Sequence, residues 1–183
     1  MPTPSNMLPL GTLAPDFQLP DTVSGRNLSL ADLRGERATV VIFTCNHCPY
    51  VKHVEREMVR LALDYQSRGV GFVAISSNDV TRYPEDGPAQ MAEVARQQGY
   101  PFPYLYDESQ DVARAYSAAC TPDFYVFDKQ LRCVYRGRLD DSTPGNGKPL
   151  SGVDLRAALD AVLGKGTVSG DQFPSYGCSI KFR

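Results

Sequence analysis

The chain is 183 residues long, 42% hydrophobic and 22% charged, with a formal net charge of −2. That length suits one well-buried core, residues 1–183 as a single domain, and the composition excludes a disordered chain, a fibrous repeat and a disulfide-dense miniprotein. With no Lys/Arg cluster, no basic region in the opening MPTPSNMLPLGTLAPDF and no apolar run of membrane-spanning length, neither nucleic acid nor a membrane is an expected partner, and cytosolic residence is expected.

Asp16 to Leu19 and Asn27 to Leu30 read as short strands around the turn Ser24-Gly25, with a helical turn from Ala31 to Leu33, forming a small hairpin ahead of the main fold. Thr39 to Thr44 is a nearly continuous β-branched and aromatic run, the pattern of a central strand buried on both faces, and it ends at Cys45. From about Cys48 to Ser67, Val51, Val54, Met58 and Leu61 recur at spacings of three and four, giving a helix with one core-packing face that Gly69 stops. Val70 to Ser76 is then a second buried strand, completing a βαβ unit. Pro88 to Gln98 predicts a helix, Pro103 to Tyr106 a short strand, and Ser109 to Ala118 a helix with Ser109 as its N-cap. Phe124 to Phe127 and Arg132 to Arg138 predict an antiparallel hairpin, and Val153 to Leu163 a final helix with Gly164 beyond it. Asp141 to Leu150 reads as a surface loop and residues 165–183 as a C-terminal tail.

Five cysteines in a cytosolic chain are mostly reduced at rest, so a closely spaced pair is a candidate for catalysis or metal binding before it is a structural staple. Cys45-Asn46-His47-Cys48 falls where the buried strand gives way to the long helix. Unpaired N–H groups and the positive dipole end at a helix start lower the pKa of a nearby thiol, and the thiolate is the attacking species in disulfide exchange. Two intervening residues across a helix start bring the sulfurs within bonding reach, so one can resolve a mixed disulfide formed by the other. His47, between them, is expected to add positive charge beside the thiolate and push the couple toward a more oxidising potential. A zinc reading recruits His47 and His53 as nitrogen ligands, but no second CxxC or spaced His pair completes a tetrahedral site.

Ala14-Pro15-Asp16-Phe17, Leu28-Ser29-Leu30, Asp32-Leu33 and, most specifically, Phe43-Thr44-Cys45-Asn46-His47-Cys48-Pro49-Tyr50-Val51 resemble the CxxC-bearing, peroxiredoxin-like branch (AhpC/TSA, redoxin) of the thioredoxin-like superfamily. The resemblance implies an α/β thioredoxin-like fold, a central mixed β-sheet flanked by helices with an N-terminal β-hairpin extension. It also implies that Pro122, in Cys120-Thr121-Pro122-Asp123-Phe124, is a cis-proline facing the active-site loop, where a substrate chain can pair as an extra strand. Peroxiredoxins place a threonine and a proline ahead of the peroxidatic cysteine and an arginine at a distance. With Cys48 in the peroxidatic position, Cys45 stands at the threonine, Val41 at the proline, and the arginine position near Phe124 lacks one. The buried acid of many thioredoxins is also missing from Thr39 to Thr44.

Of the other thiols, Cys133 is expected to be structural. Cys120 lies beside the cis-proline position, and Cys178, in Pro174 to Lys181, resembles a tail cysteine of this branch; both are auxiliary redox candidates. The expected function is thiol-disulfide exchange with a protein or small-molecule thiol partner and an external electron donor or acceptor, without a cofactor or metal. Cys45 is the expected nucleophile, Cys48 the resolving thiol, His47 the thiolate stabiliser and Pro122 the groove residue. The alternatives are a thiol peroxidase with Cys48 peroxidatic and a non-catalytic redox-sensing or zinc-binding protein.

Overall fold

In the computed structural model, which describes residues 1–164 and 166–183, alternation along three apolar strands sets the layers. β4 (Ala38–Phe43), β5 (Val70–Ser76) and β8 (Asp123–Asp128) occupy the middle of a five-stranded sheet, with β6 (Tyr104–Tyr106) and β9 (Cys133–Gly137) at its edges, in the order β6-β5-β4-β8-β9. β4 pairs parallel with β5, Ala38 opposite Val70, and antiparallel with β8, Phe43 opposite Asp123, so the sheet is mixed. Successive side chains on a strand point to opposite faces. Val40, Ile42, Phe72, Ala74, Phe124 and Val126 thus meet helices α2 (Pro49–Gln66), α3 (Pro88–Gln98) and α5 (Val153–Leu163) on one side. Val41, Phe43, Val73, Ile75, Tyr125 and Phe127 meet, on the other, the hairpin of β2 (Gln18–Pro20) and β3 (Asn27–Ser29), helix α1 (Leu30–Leu33) and helix α4 (Asp111–Ala115).

The fold is thioredoxin-like, and the hairpin, the central strands and the three longer helices form within a residue or two of where periodicity places them. α2 buries Val51, Val54, Met58 and Leu61 as its spacing requires. Ser29 caps α1 with a reciprocal box to Asp32. The expected cap of α4 is different. The residue ahead of this helix is Gln110, in the left-handed region, and the Asp107 carboxylate accepts the Val112 and Ala113 N–H groups, while Ser109 Oγ accepts only that of Asp111. Asp107 reaches the first turn because it ends a buried strand pointing at it.

Two strands carry no periodic signal. β7 (Cys120–Thr121) ends at a cis Thr121–Pro122 bond, as the cis-proline expectation requires. Where a tail was expected, starting at residue 165, which lies outside the described residues, β10 (Tyr176–Ser179) forms the middle of a small sheet between β1 (Thr3–Pro4) and β7. The Gly177 Cα sits so near β7 that a Cβ there would lie 1.8 Å from the Thr121 carbonyl oxygen, so only glycine permits this approach. No helix among the described residues is long and apolar enough to cross a membrane.

Leu61 is buried in the centre of α2, and Leu63 on the same helix is exposed. Leu61→Ala is expected to cost about 2–5 kcal/mol in urea or thermal denaturation, against less than about 0.5 kcal/mol for Leu63→Ala.

Candidate active site

β4 delivers Cys45 two residues past its end at Phe43, and Cys48 is the N-cap of α2. Pro49 at the first helical position suits this start, since its fixed φ favours the turn and it has no N–H to satisfy. Both sulfur-bearing residues are covered, Cys45 at 1% and Cys48 at 0% exposure. The cis-proline loop faces them. Cys45 Sγ lies 3.4 Å from Thr121 Oγ1 and Cys48 Sγ 3.5 Å from the Thr121 carbonyl oxygen.

The two thiols titrate in opposite directions. The adjacent Cys45 thiol, then Cys178 and the Val51 N–H of the first helical turn, support negative charge on Cys48 and outweigh its burial, lowering it to about 5. The same hydrogen bond to Cys48, burial and the Asp86 carboxylate push Cys45 well up. Both directions favour negative charge on the sulfur at the helix mouth.

Asp86 is the group that sequence reasoning missed. It comes from the 3-10 turn Pro84–Asp86 and is fully buried. Asp86 Oδ1 accepts the Asn46 N–H at 2.8 Å and Oδ2 accepts Asn78 Nδ2 at 2.8 Å. The acid absent from β4 is thus supplied from the turn after β5. Asn46 is fixed further by donating from Nδ2 to the Glu85 carbonyl at 3.0 Å and by accepting the Tyr104 hydroxyl at 2.9 Å.

His47 Nδ1 lies 2.6 Å from Asp86 Oδ2 without the alignment of a directed hydrogen bond. The ring is parallel to that of Tyr83, 2° apart. His47 therefore faces the carboxylate first, and the contacts that ionise Cys48 come from other groups. Cys45, His47 and Asp86 bring three potential metal-ligating atoms within 4.8 Å of one another. Both Asp86 oxygens already accept hydrogen bonds, and His53 is elsewhere, its Nε2 2.7 Å from Ser142 Oγ.

Cys178, on β10, brings its Sγ to 2.7 Å from Cys48 Sγ, well inside ordinary non-bonded contact. This is longer than the ~2.05 Å of a covalent S–S bond. Cys120 belongs to β7 but its Sγ is directed at the Pro122 and Ser175 carbonyls, 3.9 and 3.8 Å away, and burial pushes its thiol up. Cys133 is buried in β9, its thiol pushed up to about 11 by burial. Asp123, after the cis-proline, is raised to about 7 by burial while Ser5 and Tyr125 donate to it.

A strand leading to a CxxC at a helix mouth, opposed by a cis-proline loop, defines a thioredoxin-like protein with a paired-thiol site. The same fold occurs in a thiol:disulfide interchange protein of the thioredoxin family from Chlorobium tepidum TLS, at a TM-score of 0.64 and 22% identity over 84% of this chain and 97% of that one. The AhpC/TSA family pattern matches residues 10–136, and the chain belongs to the AhpC/TSA family. It is 32% identical over 116 residues, 63% of this chain and 68% of the other, to the Mycobacterium tuberculosis protein named "Putative peroxiredoxin Rv2521". A crystal structure of an uncharacterized conserved protein from Geobacillus kaustophilus matches all of this chain and 97% of its own, at 58% identity and a TM-score of 0.99.

Ultraviolet absorbance of the reduced protein should show one thiolate appearing as pH rises through about 5, ionised at neutral pH and absent in Cys48→Ser. Because Asp86 raises Cys45, Asp86→Asn should move a second, high-pH ionisation downward; an unmoved second step would remove Asp86 from this role.

Proposed function

We propose that the chain is a thiol-disulfide oxidoreductase whose Cys45 and Cys48 cycle between dithiol and disulfide in exchange with a protein or small-molecule thiol partner. The observation that carries this reading is the geometry of the pair, with Cys48 at the N-cap of α2, Cys45 just beyond β4, and both sulfurs within 3.5 Å of Thr121 in the cis-proline loop. This reading exchanges the expected roles, Cys45 as nucleophile and Cys48 as resolving thiol, because the Cys178 sulfur faces Cys48 at the helix mouth. Cys48 is the nucleophile, attacking one sulfur of a disulfide and releasing the other as a thiolate. Cys45 is the resolving thiol, closing the Cys45–Cys48 disulfide and releasing the first partner sulfur, which takes up the Cys45 proton. Pro122 holds the Thr121 backbone beside both sulfurs, and His47 acts through Asp86, whose charge keeps Cys45 protonated until it is needed.

A stabilised Cys48 thiolate favours the reduced form, so the disulfide form is a strong oxidant. Equilibration with glutathione is expected to give a potential less negative than the about −270 mV of thioredoxin, and Cys48→Ser to abolish exchange with a model disulfide. A more negative potential would mean that the contacts around Cys48 do not favour its thiolate.

A second reading, peroxide reduction with Cys48 peroxidatic, is favoured by the ionised Cys48 at the first turn of α2 and by the name of the mycobacterial relative. Against it, Cys45 replaces the threonine that orients peroxide, and the groups lowering Cys48 are thiols and a backbone N–H, with no guanidinium among them. Stopped-flow mixing with hydrogen peroxide separates the two: rapid consumption that Cys48→Ser abolishes selects the peroxidase, and slow consumption beside fast disulfide exchange selects the oxidoreductase.

A further inference from the structure

We propose that Cys178 is the sulfur through which outside thiols and disulfides reach the buried pair, presented on a strand that the chain folds into its own substrate position. This rests on the reading of Cys45 and Cys48 as the redox couple. The resemblance implies that an extended substrate segment adds as a strand beside the cis-proline loop, as extended segments do at open sheet edges. Here that place is filled: β10 pairs antiparallel with β7, Cys178 opposite Thr121 and Ser179 opposite Cys120.

The strand is built in. β1 pairs along its other edge, with Thr3 opposite Gly177, and the side-chainless Gly177 seats against the Thr121 carbonyl. Beyond it, the Lys181 N–H donates to Asn78 Oδ1 at 2.8 Å and the Lys181 carbonyl accepts the Asp79 N–H at 2.8 Å, so the segment is anchored on both sides of the cysteine.

Exposure decides the order of events. Cys48 and Cys45 are covered, whereas Cys178 is partly open and its Sγ is 2.7 Å from Cys48 Sγ. An outside sulfur meets Cys178 first. Burial and the neighbouring Cys48 charge push the Cys178 thiol up to about 12, so the charge of the trio rests on Cys48, which faces the sulfur it must attack.

The relay balances step by step. The Cys48 thiolate, 2.7 Å away, draws the Cys178 proton as Cys178 attacks a disulfide RS–SR; Cys178–S–SR forms, and the RS⁻ released takes that proton from Cys48, which returns to its thiolate. The Cys48 thiolate then attacks Cys178 Sγ, forming the Cys48–Cys178 disulfide and expelling the second RS⁻. Cys45 attacks Cys48 Sγ next, closing Cys45–Cys48 and freeing Cys178, which receives the Cys45 proton. One disulfide is reduced to two thiols while two protein thiols are oxidised. An external dithiol runs the same steps backward, and in that direction Cys48 is a low-pKa leaving group when Cys178 is attacked.

Hydroxyethyl disulfide, mixed with the reduced full-length protein and followed by quenching and mass mapping of disulfides, tests this. Wild type should form Cys45–Cys48, and Cys45→Ser should accumulate Cys48–Cys178 with no mercaptoethanol adduct on Cys48. Cys178→Ser, with an unchanged thermal transition, should oxidise the Cys45 and Cys48 pair at least about tenfold more slowly, since thiol reactivity follows access. Oxidation of Cys178→Ser at the wild-type rate, or a stable Cys48 adduct beside free Cys178 in Cys45→Ser, overturns the relay and leaves the redox couple standing. A wild type whose Cys45 and Cys48 stay reduced overturns both.

Discussion

A thiolate kept out of water needs partners for its charge, and the site is organised around giving Cys48 enough of them. Burial works against ionisation, and the Cys45 thiol, the Cys178 thiol and the Val51 N–H must together exceed it. Each donor is placed by a different part of the chain. The end of β4 sets Cys45, the first turn of α2 sets Val51 and strand β10 sets Cys178. The charge on one sulfur therefore depends on the sheet, the helix and the C-terminal segment being in register simultaneously, which makes redox chemistry a property of the folded chain rather than of the tetrapeptide.

The central fold was legible because its signals are local and repeated. Six consecutive buried residues in β4 and the spacing of Val51, Val54, Met58 and Leu61 in α2 each carry many apolar side chains, so the pattern survives any one exception. The CxxC position followed from residues close in sequence to a strand end, and Pro122 from the family resemblance. β10 was not legible for the opposite reason. Its four residues alternate weakly, and what fixes them is a close backbone approach at Gly177 to a loop more than fifty residues earlier, which no window of sequence records. Asp86 was hidden similarly, in a proline- and glycine-flanked turn with no periodicity, and only the Asn46 N–H and Asn78 amide that it accepts reveal its place.

Asp86 also explains why two cysteines in one motif behave so differently. It ties down the loop by accepting the Asn46 N–H, and its charge sits nearer to Cys45 than to the helix mouth, where it opposes a second thiolate. A carboxylate on β4, as in many thioredoxins, would lie beneath the pair. Supplied instead from the turn after β5, it stands beside His47. The histidine between the cysteines therefore stands against Asp86, and the contacts made by Cys48 come from other groups.

An intramolecular sulfur has an advantage that no diffusing one can match, because holding two reacting groups together removes the translational and rotational cost of encounter; effective concentrations in well-oriented cases reach about 10⁵ M and above. With Cys178 Sγ already 2.7 Å from Cys48 Sγ, a free partner would have to displace the strand before it could compete for the same position. Displacing it means breaking the ladders on both edges of β10 and the anchors at Lys181. Transferring a sulfur–sulfur bond to Cys178 requires none of that. In the proposed relay the buried Cys48 holds the charge while the partly open Cys178 meets partners, and that separation of charge from access is what the third cysteine would contribute.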